Sequence, residues 1–171
     1  MSHTDSWAPR PWQTALEDDW IDFNGHLRDA FYVFLASRAT DDLMEQVGLD
    51  ESYRAATGGT LYTLEMHVHF LQEVKRDDVV TATLRPLAVD AKRLQARCEI
   101  ACPRLAGPAA IVEMLLLHVT QKPSPRAAPF PEPVAQRLAQ WLAAATPPSD
   151  DYGSRAIALK RPKVSGGTGT D

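Results

Sequence analysis

Asp22-Phe23-Asn24-Gly25-His26 places a carboxylate, an amide, a turn dipeptide and an imidazole just ahead of the chain's most apolar segment, "AFYVFLA". Asp22 has the chemistry of a general base or a nucleophile toward a carbonyl carbon, and such a reaction also needs donors for the developing oxyanion. A helix that starts near Asn24 leaves N–H groups unpaired and carries partial positive charge at that end. The backbone N–H groups of residues 27–29 are the expected oxyanion donors. Asp is equally common as a cap before a helix, so both roles stand open for Asp22. Asn24 reads as the helix N-cap or as the group that orients Asp22 or a water. His26 shapes the same pocket or serves as a hydrogen-bonded structural imidazole.

A second constellation is "YTLEMHVHF". In a strand, alternate side chains share a face, so Glu65, His67 and His69 point one way while Leu64, Met66, Val68 and Phe70 point the other. The apolar set is expected to pack on a central helix. The polar set then faces solvent, a subunit interface or a pocket. His-x-His with a Glu also suits zinc or iron, given further donors from elsewhere in the fold. Other chemistries have no signature here: there is no Gly-x-Ser-x-Gly elbow, no phosphate loop and no dinucleotide fingerprint. Cys98 and Cys102, if they share a strand, lie roughly 13 Å apart, beyond the about 7 Å a disulfide tolerates. They read as inert thiols in a reducing cytoplasm.

The elements that position these residues follow from periodicity. Trp12 to Trp20 reads as a short strand running into a turn, and Asn24-Gly25 supplies the reversal. From Leu27 the apolar positions Leu27, Phe31, Phe34, Leu35, Leu43 and Val47 predict a helix that Gly48 stops. Being apolar nearly all round, it is expected to be deeply buried. "DESYRAATGG" reads as a connection. Strands are expected over Leu61–Gln72, Asp77–Asp90, Lys92–Cys102 and Ala109–Lys122, spaced as an antiparallel meander with a tight hairpin at Asp90-Ala91. After the Pro-rich "KPSPRAAPFPEP", Val134, Leu138, Trp141 and Leu142 form the stripe of a short amphipathic helix. One buried helix followed by a meander is an α+β pattern in which the sheet wraps the helix.

The 171 residues suffice for one domain with a real core. An apolar fraction of 44% and a charged fraction of 23% are ordinary for a globular protein. The net charge of -4 argues against a nucleic-acid partner. No apolar run approaches a membrane span, and no signal peptide is readable at the start.

The element order, with Asp22, Gly25-His26 and Tyr32 in "DFNGHLRDAFY", resembles the hotdog-fold acyl-CoA thioesterases of the 4-hydroxybenzoyl-CoA thioesterase type, over about Trp12 to Lys122. A nearer resemblance lies in "LYTLEMHVHFLQEVKRDD" and "VDAKRL", which are similar to the thioesterase modules found with carnitine dehydrogenases. Tyr62, Glu65 and His67 match that pattern; its second His is expected at position 70, where Phe70 stands, and His69 precedes it. The resemblance implies a cofactor-free acyl-CoA thioesterase, with betainyl-CoA, cleaved to glycine betaine, as favoured substrate. Asp22, Asn24, His26, Glu65 and His67 are its implied catalytic residues. Trp20, Phe23, Tyr32, Tyr62 and His69 are implied substrate contacts, since a quaternary ammonium is held by ring faces and acidic groups. Trp20 and Phe23 read equally as core residues. Lys92 and Arg93 are the implied binders of CoA phosphates, or solvated charges at a hairpin. The site is expected between the subunits of a homodimer, or of a dimer of dimers. A thioesterase domain over 1–126, an amphipathic helix within 127–145 and a disordered tail over 146–171 are expected. A non-catalytic acyl-thioester binding module and a metal enzyme built on Glu65, His67 and His69 remain as alternatives.

Overall fold

A computed structural model describes residues 7–148 and Tyr152. The expected tail, 146–171, and its "KRPK" cluster lie outside the described residues apart from 146–148 and Tyr152. The elements are β1 (Trp12–Ala15), a 3-10 turn (Asp18–Trp20), α1 (Asp29–Val47), α2 (Glu51–Thr57), β2 (Gly59–Phe70), β3 (Val79–Val89), β4 (Arg93–Ala101), β5 (Ala110–Thr120), β6 (Arg126–Ala127) and α3 (Glu132–Ala144).

The antiparallel sheet has the order β1-β3-β4-β5-β2, with β6 on the end of β5. The meander therefore holds for β3, β4 and β5 but not for β2, which pairs with β5 from Gly59↔Thr120 to Phe70↔Ala110. Strands adjacent in sequence are often but not always adjacent in a sheet. Residues 71–78 carry the chain from the β2 edge to β3, on the other side of β4 and β5. The hairpin at Asp90-Ala91 forms as expected, with the Asp90 carboxylate accepting the N–H groups of Lys92 and Arg93. A bulge between Thr63 and Glu65 interrupts β2. It turns Leu64 outward, against the expectation that Leu64 faces the helix, while Glu65, His67 and His69 keep one common face.

α1 lies against the sheet through Tyr32, Leu35, Ala36, Ala39, Thr40, Leu43, Met44 and Val47, which alternate in steps of three and one. This is the stripe of a helix packed on one face. Ala36 and Ala39 let the backbone approach the sheet, and the buried Thr40 hydroxyl is satisfied by the Ala36 carbonyl at 2.9 Å. The stripe meets Leu94, Ala96, Cys98 and Ile100 of β4 and Val112, Met114 and Leu116 of β5 in one core. All-round burial is not found: Val33 and Phe34 are 37% and 41% exposed. Gly48 ends the helix at φ 100°, a left-handed conformation that glycine adopts without strain.

The start of α1 corrects the sequence reading. Helix begins at Asp29, with Arg28 in the cap position, and Asn24 does not cap it. Residues 26–28 are held extended: His26 bridges Lys75, Leu27 bridges Ile21, and Arg28 N–H donates to the Trp20 carbonyl. Such long-range pairing overrides local propensity. Two further elements lie where connections were expected. α2 is capped by Asp50, whose carboxylate accepts Tyr53 N–H at 2.8 Å, and β6 lies within the Pro-rich linker. Val134, Leu138 and Trp141 of α3 are buried in the same core as α1.

Candidate active site

The stretch 22–26 closes on itself. Asp22 N–H donates to the His26 carbonyl at 2.8 Å, and Gly25 N–H donates to the Asp22 carbonyl at 3.0 Å. Gly25 takes φ 82°, the backbone state that the Asn-Gly signal predicted. The Asp22 Oδ1 atom accepts Asn24 N–H at 2.8 Å and His26 N–H at 3.0 Å. Those donors lower the carboxyl below its ordinary value, the His26 N–H foremost, against a partial desolvation that raises it; the Asn24 side chain and the His26 ring add to the lowering. Asp22 is thus a persistent, half-buried anion.

Residues 73–76 form the other wall. His26 Nε2 lies 3.2 Å from Glu73 Oε2, Leu27 N–H donates to the Val74 carbonyl at 2.9 Å, and Arg76 N–H donates to the Gly25 carbonyl at 3.3 Å. These contacts use up much of the expected oxyanion hole. Leu27 and Arg28 N–H groups are both bonded to carbonyls, which leaves Asp29 N–H as the member of 27–29 without a backbone partner among the described residues.

Around this turn stands an aromatic cluster. Trp20, buried in the core, stacks on Phe31 at 5.4 Å and meets Phe34 edge-on at 5.2 Å. Phe23, at the turn's tip, is 95% exposed and is not a core residue. Tyr32 is buried with its ring edge-on to Phe70 at 5.2 Å and its hydroxyl facing the Val74 backbone. Burial pushes its phenol up.

Glu65 and His67 come together, with Glu65 Oε1 3.3 Å from His67 Nε2. They are not brought to Asp22. Their strand partners Leu115 and Glu113 alternate with the core residues Met114 and Val112, so both point away from α1. Glu65 also lies five residues back from the end of β2, about 17 Å along the strand. His69 does not join them as a ligand set. Its ring packs on Tyr152 at 5.6 Å, and no three potential ligands converge on a metal position among the described residues. Tyr62 sits on β2 near the bulge, 40% exposed.

At the β3–β4 hairpin, Arg93 is not a free cation, since its guanidinium holds Asp90 Oδ2 at 2.6 Å. This pairing draws the Asp90 carboxyl down to about 2. The Lys92 ammonium has no ion pair among the described residues. A cavity of about 250 Å³ bounded by Asp90, Arg93, Gln95 and Leu115 shares its last two residues with a second, of about 200 Å³, that reaches Glu65 and Glu113. The groove connects the hairpin with Glu65 on the face away from α1. Cys98 and Cys102 are free and buried; burial pushes the Cys98 thiol up to about 12 and raises that of Cys102. Glu73, Asp78 and Arg104, which hold the 73–78 loop, went unmarked in the sequence as site residues. "EVKRDD" reads as a charged turn whose basic residues could meet CoA phosphates, and nothing local ties Arg104 to it.

An antiparallel sheet laid on one long helix, with an anionic carboxylate in the turn at that helix's head, is the arrangement of the hotdog-fold thioester hydrolases. The chain belongs to the thioesterase-like superfamily, whose family model matches residues 16–138. It is 42% identical over 127 residues to the betainyl-CoA thioesterase of Pseudomonas aeruginosa, an alignment covering 74% of this chain and 79% of that one. It is 36% identical to the L-carnitine dehydrogenase/betainyl-CoA thioesterase of Agrobacterium fabrum, covering 82% of this chain and 29% of that longer protein. Among solved structures, the Staphylococcus aureus protein SAV2348 in complex with CoA superposes with a TM-score of 0.76 at 25% identity, over 91% of this chain and 100% of that one.

Proposed function

We propose that the chain hydrolyses betainyl-CoA to glycine betaine and CoA, with Asp22 as the reacting carboxylate. The observation that carries this reading is the Asp22 turn: an anion held by the N–H groups of Asn24 and His26 at the head of α1, in a relative of betainyl-CoA thioesterases. Two routes release CoA. In one, an Asp22 oxygen attacks the thioester carbon, the carbon–sulfur bond breaks, CoA leaves as its thiolate, and water opens the resulting mixed anhydride. In the other, Asp22 takes a proton from a water whose oxygen attacks the thioester carbon, the carbon–sulfur bond breaks, and the leaving CoA thiolate takes up the proton. A carboxylate held below its ordinary pKa is a lasting anion, the form that either route requires. Asn24 orients the carboxylate through its side chain, and His26, steered by Glu73, shapes the pocket wall.

The working unit is a homodimer, or a pair of dimers, with Glu65 and His67 entering the pocket across a subunit interface. In support, β2 is an edge strand in the described chain, and Leu64 and Phe70 on it are 53% and 55% exposed. An apolar open edge is what a second sheet edge covers. Trp20, Phe23, Tyr32, Tyr62 and His69 contact the acyl group, whose trimethylammonium suits ring faces such as those beside Phe34. Lys92 takes the CoA phosphates at the hairpin end of the groove, and Arg93 adds to the positive field there from its pairing with Asp90. The free thiols suit a reducing cytoplasm, and no helix among the described residues is long and apolar enough to cross a membrane.

The test is thiol release from a panel of acyl-CoA esters that includes betainyl-CoA, for the wild type, Asp22→Asn and Asp22→Ala. Asn keeps an oxygen for the two N–H groups, so Asp22→Asn should fold normally and lose about 10²-fold or more in kcat. Fast turnover of other esters with betainyl-CoA untouched refutes the substrate. Full activity in Asp22→Asn refutes the reacting carboxylate.

A further inference from the structure

The wall against which the Asp22 turn rests is itself held from a distant loop. Asp78 follows that wall and has a side chain only 10% exposed. Its two oxygens meet Arg104 in a fork, Nε to Oδ1 at 3.1 Å and Nη2 to Oδ2 at 2.7 Å. The same Nη2 donates to the Glu73 carbonyl at 2.8 Å. Asp78 Oδ2 also accepts Lys75 N–H at 2.8 Å. Arg104, from the β4–β5 connection, thus ties both ends of residues 73–78. The segment in between presents the Val74 carbonyl to Leu27, the Lys75 backbone to His26 and the Glu73 carboxylate to the His26 ring. His26 N–H is in turn one of the two donors on Asp22.

We propose that Arg104 and Asp78 are positioning residues for Asp22: their ion pair holds the 73–78 wall, and through it the turn that aims the carboxylate. Arg104 and Asp78 make their hydrogen bonds to each other and to the 73–75 backbone and none to Asp22, so their effect on Asp22 falls on its geometry. This rests on the reading of Asp22 as the reacting group. A bidentate guanidinium spans Asp78 and the Glu73 carbonyl together, which the single ammonium of lysine does not. A misplacement of about 1 Å at a reacting group costs up to about 10²-fold in rate.

The experiment compares wild type, Arg104→Ala, Arg104→Lys and Asp78→Asn in the full chain, by amide hydrogen exchange and by acyl-CoA hydrolysis. Leu27 and Arg76, whose N–H groups bridge turn and wall, should exchange at least about tenfold faster in Arg104→Ala and Asp78→Asn, with amides 39–47 of α1 unchanged. The kcat should fall about ten- to a hundredfold with KM within about twofold, and Arg104→Lys should recover only part of it. Within an Asp22→Asn background, Arg104→Ala should cost nothing further, because the residue it positions is gone. Unchanged exchange at Leu27 and Arg76 overturns the clamp, as does a full Arg104→Ala loss persisting beside Asp22→Asn. A wild type that hydrolyses none of the esters fells the thioesterase reading instead, and the exchange data still decide whether the clamp holds the turn. If Arg104→Ala does not fold, Arg104→Lys and Asp78→Asn carry the same two readouts.

Discussion

Gly25 offers a perturbation whose size follows from the backbone alone. It sits at φ 82°, and a Cβ built there meets nothing within 4 Å. Steric crowding therefore contributes nothing to Gly25→Ala, and the cost is the left-handed backbone, about 1–2 kcal/mol for an L-residue. Asn visits that region more readily, so Gly25→Asn should cost less than alanine, and β-branched Gly25→Val should cost most. Gly59 is the contrast. Its Cβ would overlap the Tyr53 hydroxyl and ring, so Gly59→Ala is a packing lesion and not a backbone one. Because residues 22–26 pack as a turn on 73–76, the Gly25 strain is relieved by opening the turn rather than unfolding the domain. A penalty of 1–2 kcal/mol corresponds to roughly a five- to thirtyfold smaller ratio of closed to open turn. The assay is chemical denaturation alongside kcat for Gly25→Asn, Gly25→Ala and Gly25→Val. We expect kcat to fall in that order, with Gly25→Ala losing no more than about 2 kcal/mol of global stability. Alanine equal to glycine in kcat, or asparagine worse than alanine, would refute the reasoning.

Three further outcomes follow from the same structure. Leu35→Ala, at a fully buried position on α1, should cost about 2–5 kcal/mol in urea unfolding. Leu64→Lys, on the open edge of β2, should leave the fold intact and convert the proposed dimer, twice 18.9 kDa, to monomer by light scattering, with loss of turnover. Asp90 has its carboxyl drawn down to about 2 by Arg93. Its pairing contributes stability in full above the ordinary carboxylate range near 4, and that contribution is lost as pH falls toward 2. The wild type should therefore lose more stability than Arg93→Ala between about pH 4 and 2 in urea titrations, and parallel curves would contradict the pairing.

Local patterns were enough for the strands β3, β4 and β5, the body and end of α1, the stripe of α3 and the Asn-Gly turn. Each depends on a period or on the torsional preference of one residue, and both are properties of a short window. The Asp50 cap of α2 is also local, but a helix of seven residues between a Gly stop and a Gly pair is too short for its period to stand out from a connection. The neighbours of Asp22 in sequence suit a cap and a reaction centre equally. Contacts distant in sequence decided the rest. Pairing of Ile21 with Leu27 and of His26 with Lys75 delayed the helix to Asp29 and drew Leu27 and Arg28 N–H groups away from an oxyanion hole. The placement of β2 beside β5 turned Glu65 and His67 to the face away from α1. The union of Asp78 with Arg104 bridges 26 residues of chain, and no periodicity encodes a single ion pair at that separation. Residue types and short spacings carry local conformation, whereas the strand partners and the groups behind a carboxylate are settled when the whole core closes.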